Sequence, residues 1–225
     1  MIPTLRGQVL FNFNTSGDGF TVASGGPVQA IWTHGASAGV GGNGAWFVNG
    51  TGNQGVPSYS ILTSPALTVT STGSASLSFD HRYSFEYDGT RWDGGQVQVS
   101  VNGGAFTTVA LSYTGTLTGN TILNGQPGFN GDSPGYGTPS YVTSTATLGS
   151  FVAGDLLRVR FVGAWDELAI GTVPNWVVDN VSVTNVLVSE PAQFAVFAGL
   201  GVLGWTWFRR RRSERGAPCR GPVNS

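Results

Sequence analysis

The 225-residue chain carries 11 basic and 12 acidic residues for a formal charge of −1, with 40% apolar residues, 10% charged residues and 35 glycines. This balance leaves no basic footprint, so nothing in it points to nucleic acid as a partner. The apolar fraction suffices for a core, and the composition fits neither collagen nor a disordered segment.

The placement of charge is more informative than its sum. The chain has no lysine, and its arginines divide into five before residue 189 (Arg6, Arg82, Arg91, Arg158, Arg160) and six after it. Acidic residues divide ten to two, so residues 1–188 carry −5 and residues 189–225 carry +4. The single cysteine, Cys219, lies in the second part, so the first holds together without disulfides or thiolate ligands.

Along residues 7–188, short apolar runs of period two alternate with clusters of Gly, Asn, Ser, Pro and Thr, the pattern of strands joined by turns. The runs predict strands over Gln8–Asn14, Ala45–Val48, Ala66–Thr70, Ala75–Phe85, Gly95–Asn102, Phe106–Leu111, Thr143–Leu148, Asp155–Gly163 and Asn175–Asn185. In the fourth, Leu77, Phe79, His81, Tyr83 and Phe85 form one face, while Asp80, Arg82 and Ser84 form the other. In the fifth, Val97, Val99 and Val101 point inward and the strand closes on Asn102-Gly-Gly, a hairpin signal. The last strand breaks its alternation, because Val177, Asp179, Val181 and Val183 share a parity that Trp176 and Val178 do not. Either an Asp sits among valines or a bulge near Asp179 shifts the register. The fold class is therefore all-β, a stack of two antiparallel sheets.

Four motifs in this order, LSFDHRYSFE with WDGGQVQVSVNGGAF, then GQPGFNGDSPGYG, GSFVAGDLLRVRFVGAWDE and NWVVDNVSV, resemble the MAM-like β-sandwich that accompanies immune inhibitor A-type metalloproteases. The same module is similar to the choice-of-anchor domains of bacterial surface proteins. The resemblance implies a jelly roll and no catalytic activity, and the chain has no HExxH zinc-protease motif.

Ser189-Glu190-Pro191 precedes seventeen uncharged residues, Ala192–Phe208, and then Arg209, Arg210, Arg211 and Arg212. As a helix at about 1.5 Å per residue the run spans about 26 Å, enough for a thin bilayer. Trp205 and Trp207 would sit in the interfacial belt and the arginines on the cytoplasmic side. The order resembles the PEP-CTERM sorting signal of Gram-negative bacteria. It implies an exosortase-type processing enzyme as partner, with Ser189, Glu190 and Pro191 as its motif, Ala192–Phe208 as a transmembrane helix and Arg209–Arg212 as the stop-transfer charge. It further implies passage through the inner membrane to the cell surface or extracellular matrix, in the company of exopolysaccharide and biofilm. Three segments follow: an ectodomain over 1–188, a sorting segment over 189–212 and a disordered cytoplasmic tail over 213–225. The opening Met1–Arg6 lacks the apolar run of an export signal, so the expectation is that the natural start lies upstream.

Candidate sites gather around His81–Asp93. Glu86, Asp88 and Asp93, mixed with glycine turns, have the chemistry of Ca²⁺ ligands, which are six to eight oxygens. A hydrolase would instead use Glu86 with Asp88 or Asp93 as a glycosidase pair, while simple ion pairing would match Asp80 and Glu86 with Arg82, Arg158 and Arg160. Asp166, Glu167 and Asp179 form a second acidic group, in which Asp179 is the candidate metal ligand or bulge cap. Among the aromatic residues Trp92, in a turn between Arg91 and Asp93, is the candidate contact for a polysaccharide.

Overall fold

A computed structural model of the protein describes residues 7–26, 31–50, 56–138, 140–166 and 169–189. In chain order its strands are β1 (Gln8–Phe11), β2 (Thr21–Gly25), β3 (Thr33–Gly35), β4 (Ala45–Val48), β5 (Ser58–Thr63), β6 (Leu67–Val69), β7 (Gly73–Tyr83), β8 (Gly94–Val101), β9 (Thr107–Thr108), β10 (Gly115–Thr116), β11 (Pro127–Gly128), β12 (Val142–Phe151), β13 (Leu156–Trp165), β14 (Trp176–Thr184) and β15 (Val186–Val188). They form two antiparallel sheets. The first runs β12-β7-β14-β4-β3, with β1 also on β14, and the second runs β15-β6-β13-β5-β2, with β8 between β13 and β9. The long strands alternate between the sheets: β7 feeds β8, and β12, β13, β14 and β15 change sheet at every step. This is jelly-roll connectivity. Among the described residues no helix is long and apolar enough to cross a membrane, and Ala192–Phe208 lies outside them.

The core follows from the alternation. Along β7 the residues Ala75, Leu77, Phe79, His81 and Tyr83 are buried while Ser74, Ser76, Ser78, Asp80 and Arg82 face outward. Opposite them, β13 and β8 contribute Leu157, Val159, Phe161, Trp165, Val97 and Val99. The rings of Phe79 and Phe161 meet edge-on at 5.2 Å, and Trp176 sits 5.8 Å from Phe161, so aromatic contacts bridge the two sheets at mid-body. His81 lies among them, fully buried. Trp176 Nε1 donates to its Nδ1 at 3.2 Å and its Nε2 meets Ser144 Oγ at 2.8 Å.

The broken alternation of β14 is a bulge. Its register against β7 shifts between Asp179 and Ser182, and Asn180 takes a φ of 48°. Trp176 and Val178 therefore point inward on one parity, Val181 and Val183 on the other, and all four are buried. The Asn102-Gly103 hairpin also forms, with φ of 52° and 74° at those two positions and a Gly104 N–H bond to Val101 O. The expected inward position of Val101 lies at the sheet's end and is 37% exposed.

β5 falls outside the strands that the periodicity predicts. Its inward residues are Ser58, Ser60 and Leu62, whereas Tyr59 and Ile61 face out. That inversion is stable because a flap carrying Leu117 and Leu123 folds over the outer face and packs with Val162 and Ala164 of β13. Inside, Ser60 accepts the Trp32 backbone N–H at 3.1 Å through its hydroxyl.

Candidate metal centre

Three strand ends meet at one end of the sandwich. Glu86 follows β7, Asp93 precedes β8 and Asp166 follows β13. A carboxylate oxygen from each lies within 4.8 Å of the other two. About twice the Ca–O distance of 2.3–2.6 Å is 4.6–5.2 Å, so one ion could touch all three.

The backbone holds this corner independently of any ion. Asn130 Nδ2 donates to the carbonyls of Glu86 and Asp93, both at 2.7 Å, clamping the two strand ends together. Asp166 N–H donates to Asp93 Oδ1 at 2.8 Å and brings in the third strand end. The other Asp93 oxygen, Oδ2, is buried and has no hydrogen-bond partner, and the residue as a whole has 0% exposure. Burial, and then the neighbouring Asp166 and Glu86 charges, push the Asp93 carboxyl up to about 8, against the pull of the Asp166 N–H bond. Glu86 is raised by burial first and then by Asp166 and Asp88. A buried carboxyl group with one oxygen unpartnered and two further carboxylates near it fits a hard divalent cation, whose charge would reverse this proton preference.

The remaining sequence candidates divide. Asp88 is exposed, its Oδ1 accepting the Thr90 N–H at 3.0 Å and Trp92 Nε1 at 3.1 Å, and these bonds hold its carboxyl below the ordinary range. Trp92 is half-buried and tied into this turn, while the neighbouring Tyr87 ring is 53% exposed beneath the Arg91 guanidinium at 5.4 Å. Asp179 belongs to the other acidic location, on the outer side of the first sheet. Its Oδ2 accepts the Val40 N–H at 2.9 Å and its Oδ1 the Asn180 N–H at 2.7 Å, so it caps the bulge and fastens the glycine-rich loop over the sheet. Asp80 bonds Thr143 Oγ1 and Asn180 Nδ2. The anticipated pairing of Asp80 and Glu86 with Arg82, Arg158 and Arg160 does not form among the described residues: Arg82 lies over the rings of Tyr136 and Tyr141, and Arg158 and Arg160 stand on β13, in the sheet opposite β7. Asp166, expected in a group with Asp179, lies instead beside Asp93, where the pairing of β13 with β8 brings it. Glu167, Glu190, Pro191 and Arg209–Arg212 lie outside the described residues.

As a glycosidase pair the corner is poorly disposed. Asp93 has no exposure to a sugar, and its Oδ1 is committed to a backbone N–H.

No family model matches the chain, and no curated protein matches it. Among solved structures it is similar to an adhesin domain of Lys-gingipain from Porphyromonas gingivalis, with 14% identity, 79% of this chain and 97% of that one covered and a TM-score of 0.44. It is also similar to the C-terminal CBM6 of a marine laminarinase from Zobellia galactanivorans, with 13% identity, coverage of 79% and 99% and a TM-score of 0.39. A family 35 carbohydrate binding module from Clostridium thermocellum follows at 16% identity, coverage of 78% and 97% and a TM-score of 0.39.

Proposed function

We propose that the chain is an exported β-sandwich module of the cell surface or extracellular matrix, without chemistry of its own, whose loops at one end are tied by Ca²⁺. The observation that carries the reading is Asp93, sealed from solvent, with one oxygen unpartnered and two carboxylates beside it. A carboxyl in that state serves as an ion ligand and cannot shuttle protons to a bulky substrate. Glu86, Asp93 and Asp166 would hold the ion, and the ion would supply charge neutralisation and a tie between three strand ends.

The export half of the reading is supported by the sequence. Residues 192–208 are uncharged and run into four arginines, and the −5 body and +4 tail suit opposite sides of a membrane. In this reading Ser189–Pro191 is recognised by an exosortase-type enzyme that releases or attaches the module, and polysaccharide is its partner outside. Intact-mass analysis of membrane and medium fractions from a Gram-negative host carrying such an enzyme tests it. A released species ending near Ser189–Pro191 is expected; full-length protein retaining Arg209–Ser225 in the membrane would remove the processing step.

A further inference from the structure

The outer face of the second sheet is only half covered. The flap with Leu117 and Leu123 closes over Val162, Ala164, Tyr59 and Ile61 at one end of β13 and β5. Toward the other end of β13 the face opens into a groove of about 430 Å³, lined by Ala66, Ser100, Leu156, Arg158, Phe106 and the Asn102–Gly104 turn.

Two arginines stand on this face, two residues apart on β13, and they differ in commitment. Arg160 is fixed: its Nε donates to Gln98 Oε1 at 2.7 Å and its guanidinium lies 3.9 Å over the Phe106 ring. Arg158, opposite Ser100 in the register, is exposed and has no hydrogen-bond or ion-pair partner among the described residues. Asp155, the acid closest in sequence, uses its oxygens on the Val152 N–H and on Asn102 Nδ2. So in a body of five arginines and ten acids the arginine that lines this groove is uncommitted, beside Leu156, which is 44% exposed, and the edge of Phe106.

We propose that this groove binds a uronic-acid segment of an acidic polysaccharide, with Arg158 receiving the sugar carboxylate. A guanidinium presents two parallel N–H groups to a planar carboxylate. Leu156 and Phe106 offer apolar surface to the C–H face of a pyranose ring, while the turn's backbone lies at the level of its hydroxyls. A single arginine in the groove suits a ligand with one charge per sugar, and the −5 body repels a densely charged polyanion. The choice of a sugar rests on the surface-module reading above, but the site does not depend on the cation. Arg158 and Asp166 lie eight residues apart along β13, about 26 Å at strand rise.

The test is affinity electrophoresis and calorimetry of the full chain in mild detergent against polygalacturonate, its neutral methyl ester, a sulfated galactan and poly-glutamate. Polygalacturonate should bind, the methyl ester should bind at least tenfold more weakly, and Arg158→Ala should lose at least tenfold in affinity with an unchanged melting temperature. Arg158→Lys should recover part of the loss, and added EDTA should change nothing. Equal binding by Arg158→Ala or by the methyl ester would overturn the proposal, and so would tighter binding of the sulfated galactan or poly-glutamate. Loss of polygalacturonate binding in EDTA alone would move the site to the acidic corner and overturn it as well.

Discussion

His81 at mid-body and Asp93 at the end of the sandwich are both titratable and both fully buried, yet their surroundings answer burial in opposite ways. His81 has a partner on each ring nitrogen, and desolvation lowers its pKa to about 3, so it serves as a neutral part of the core. Asp93 has a partner on one oxygen only, and desolvation raises its pKa to about 8 in the absence of an ion. The difference teaches that burial alone does not decide what a titratable group is for; whether its bonding capacity is met separates the two residues.

The comparison yields its largest effect in the pH dependence of stability. The folded pKa of His81 lies below its unfolded value of 6.5, so its contribution is present above 6.5 and is lost as pH falls toward 3, at about 1.4 kcal/mol per unit. The folded pKa of Asp93 lies above its unfolded value of 3.8, so its contribution is present below 3.8 and is lost as pH rises through about 8. Between about pH 4 and 6.5 the two slopes oppose each other in the ion-free protein, and the raised Glu86 adds to the Asp93 side. In the proposed reading saturating Ca²⁺ would keep Asp93 ionised and remove its slope. Urea unfolding should therefore show a nearly flat profile in EDTA over this window. In excess Ca²⁺ it should show a loss of about 3–4 kcal/mol on acidification from pH 6.5 to 4. Identical profiles in the two media would erase the distinction between the two residues.

A smaller effect isolates the carboxylate. Asp93→Asn keeps an acceptor for the Asp166 N–H but removes the charge. At a Ca²⁺ concentration one hundred times the dissociation constant, the natural protein should gain about 2.7 kcal/mol, and the variant almost nothing. In EDTA at pH 9, where the natural side chain must ionise with Oδ2 unpartnered, the variant should be the more stable of the two. A full calcium response in Asp93→Asn would place the ion elsewhere. Smaller still is Asp179→Ala, which orphans the Val40 and Asn180 N–H groups and should cost about 1–2 kcal/mol. Because both Asp179 oxygens are already used, its calcium response by thermal denaturation should match that of the natural protein.

What the sequence made legible follows the same division. The inward row of β7 and the bulge of β14 could be read because their periodicity reports directly on which face is buried. β5 could not, since its apolar Tyr59 and Ile61 face outward under a flap whose docking is a tertiary event. Glu86 and Asp93 were legible as a local acidic group. Their third member lies 73 residues beyond Asp93, and no local pattern distinguishes Asp166 from the acids around it. Arg158 was visible only as a presumed ion-pair partner, because sequence does not say that β7 and β13 lie in opposite sheets.

The clamp made by Asn130 bears on rates. Its amide holds the Glu86 and Asp93 carbonyls whether or not a cation is present, and it does not titrate. If the corner takes calcium as proposed, the ion would meet ligands already gathered, so loading should be a single bimolecular phase, first order in free ion, with no slower step from chain rearrangement. Withdrawal of the ion should likewise leave the strand ends in place, ready to be refilled.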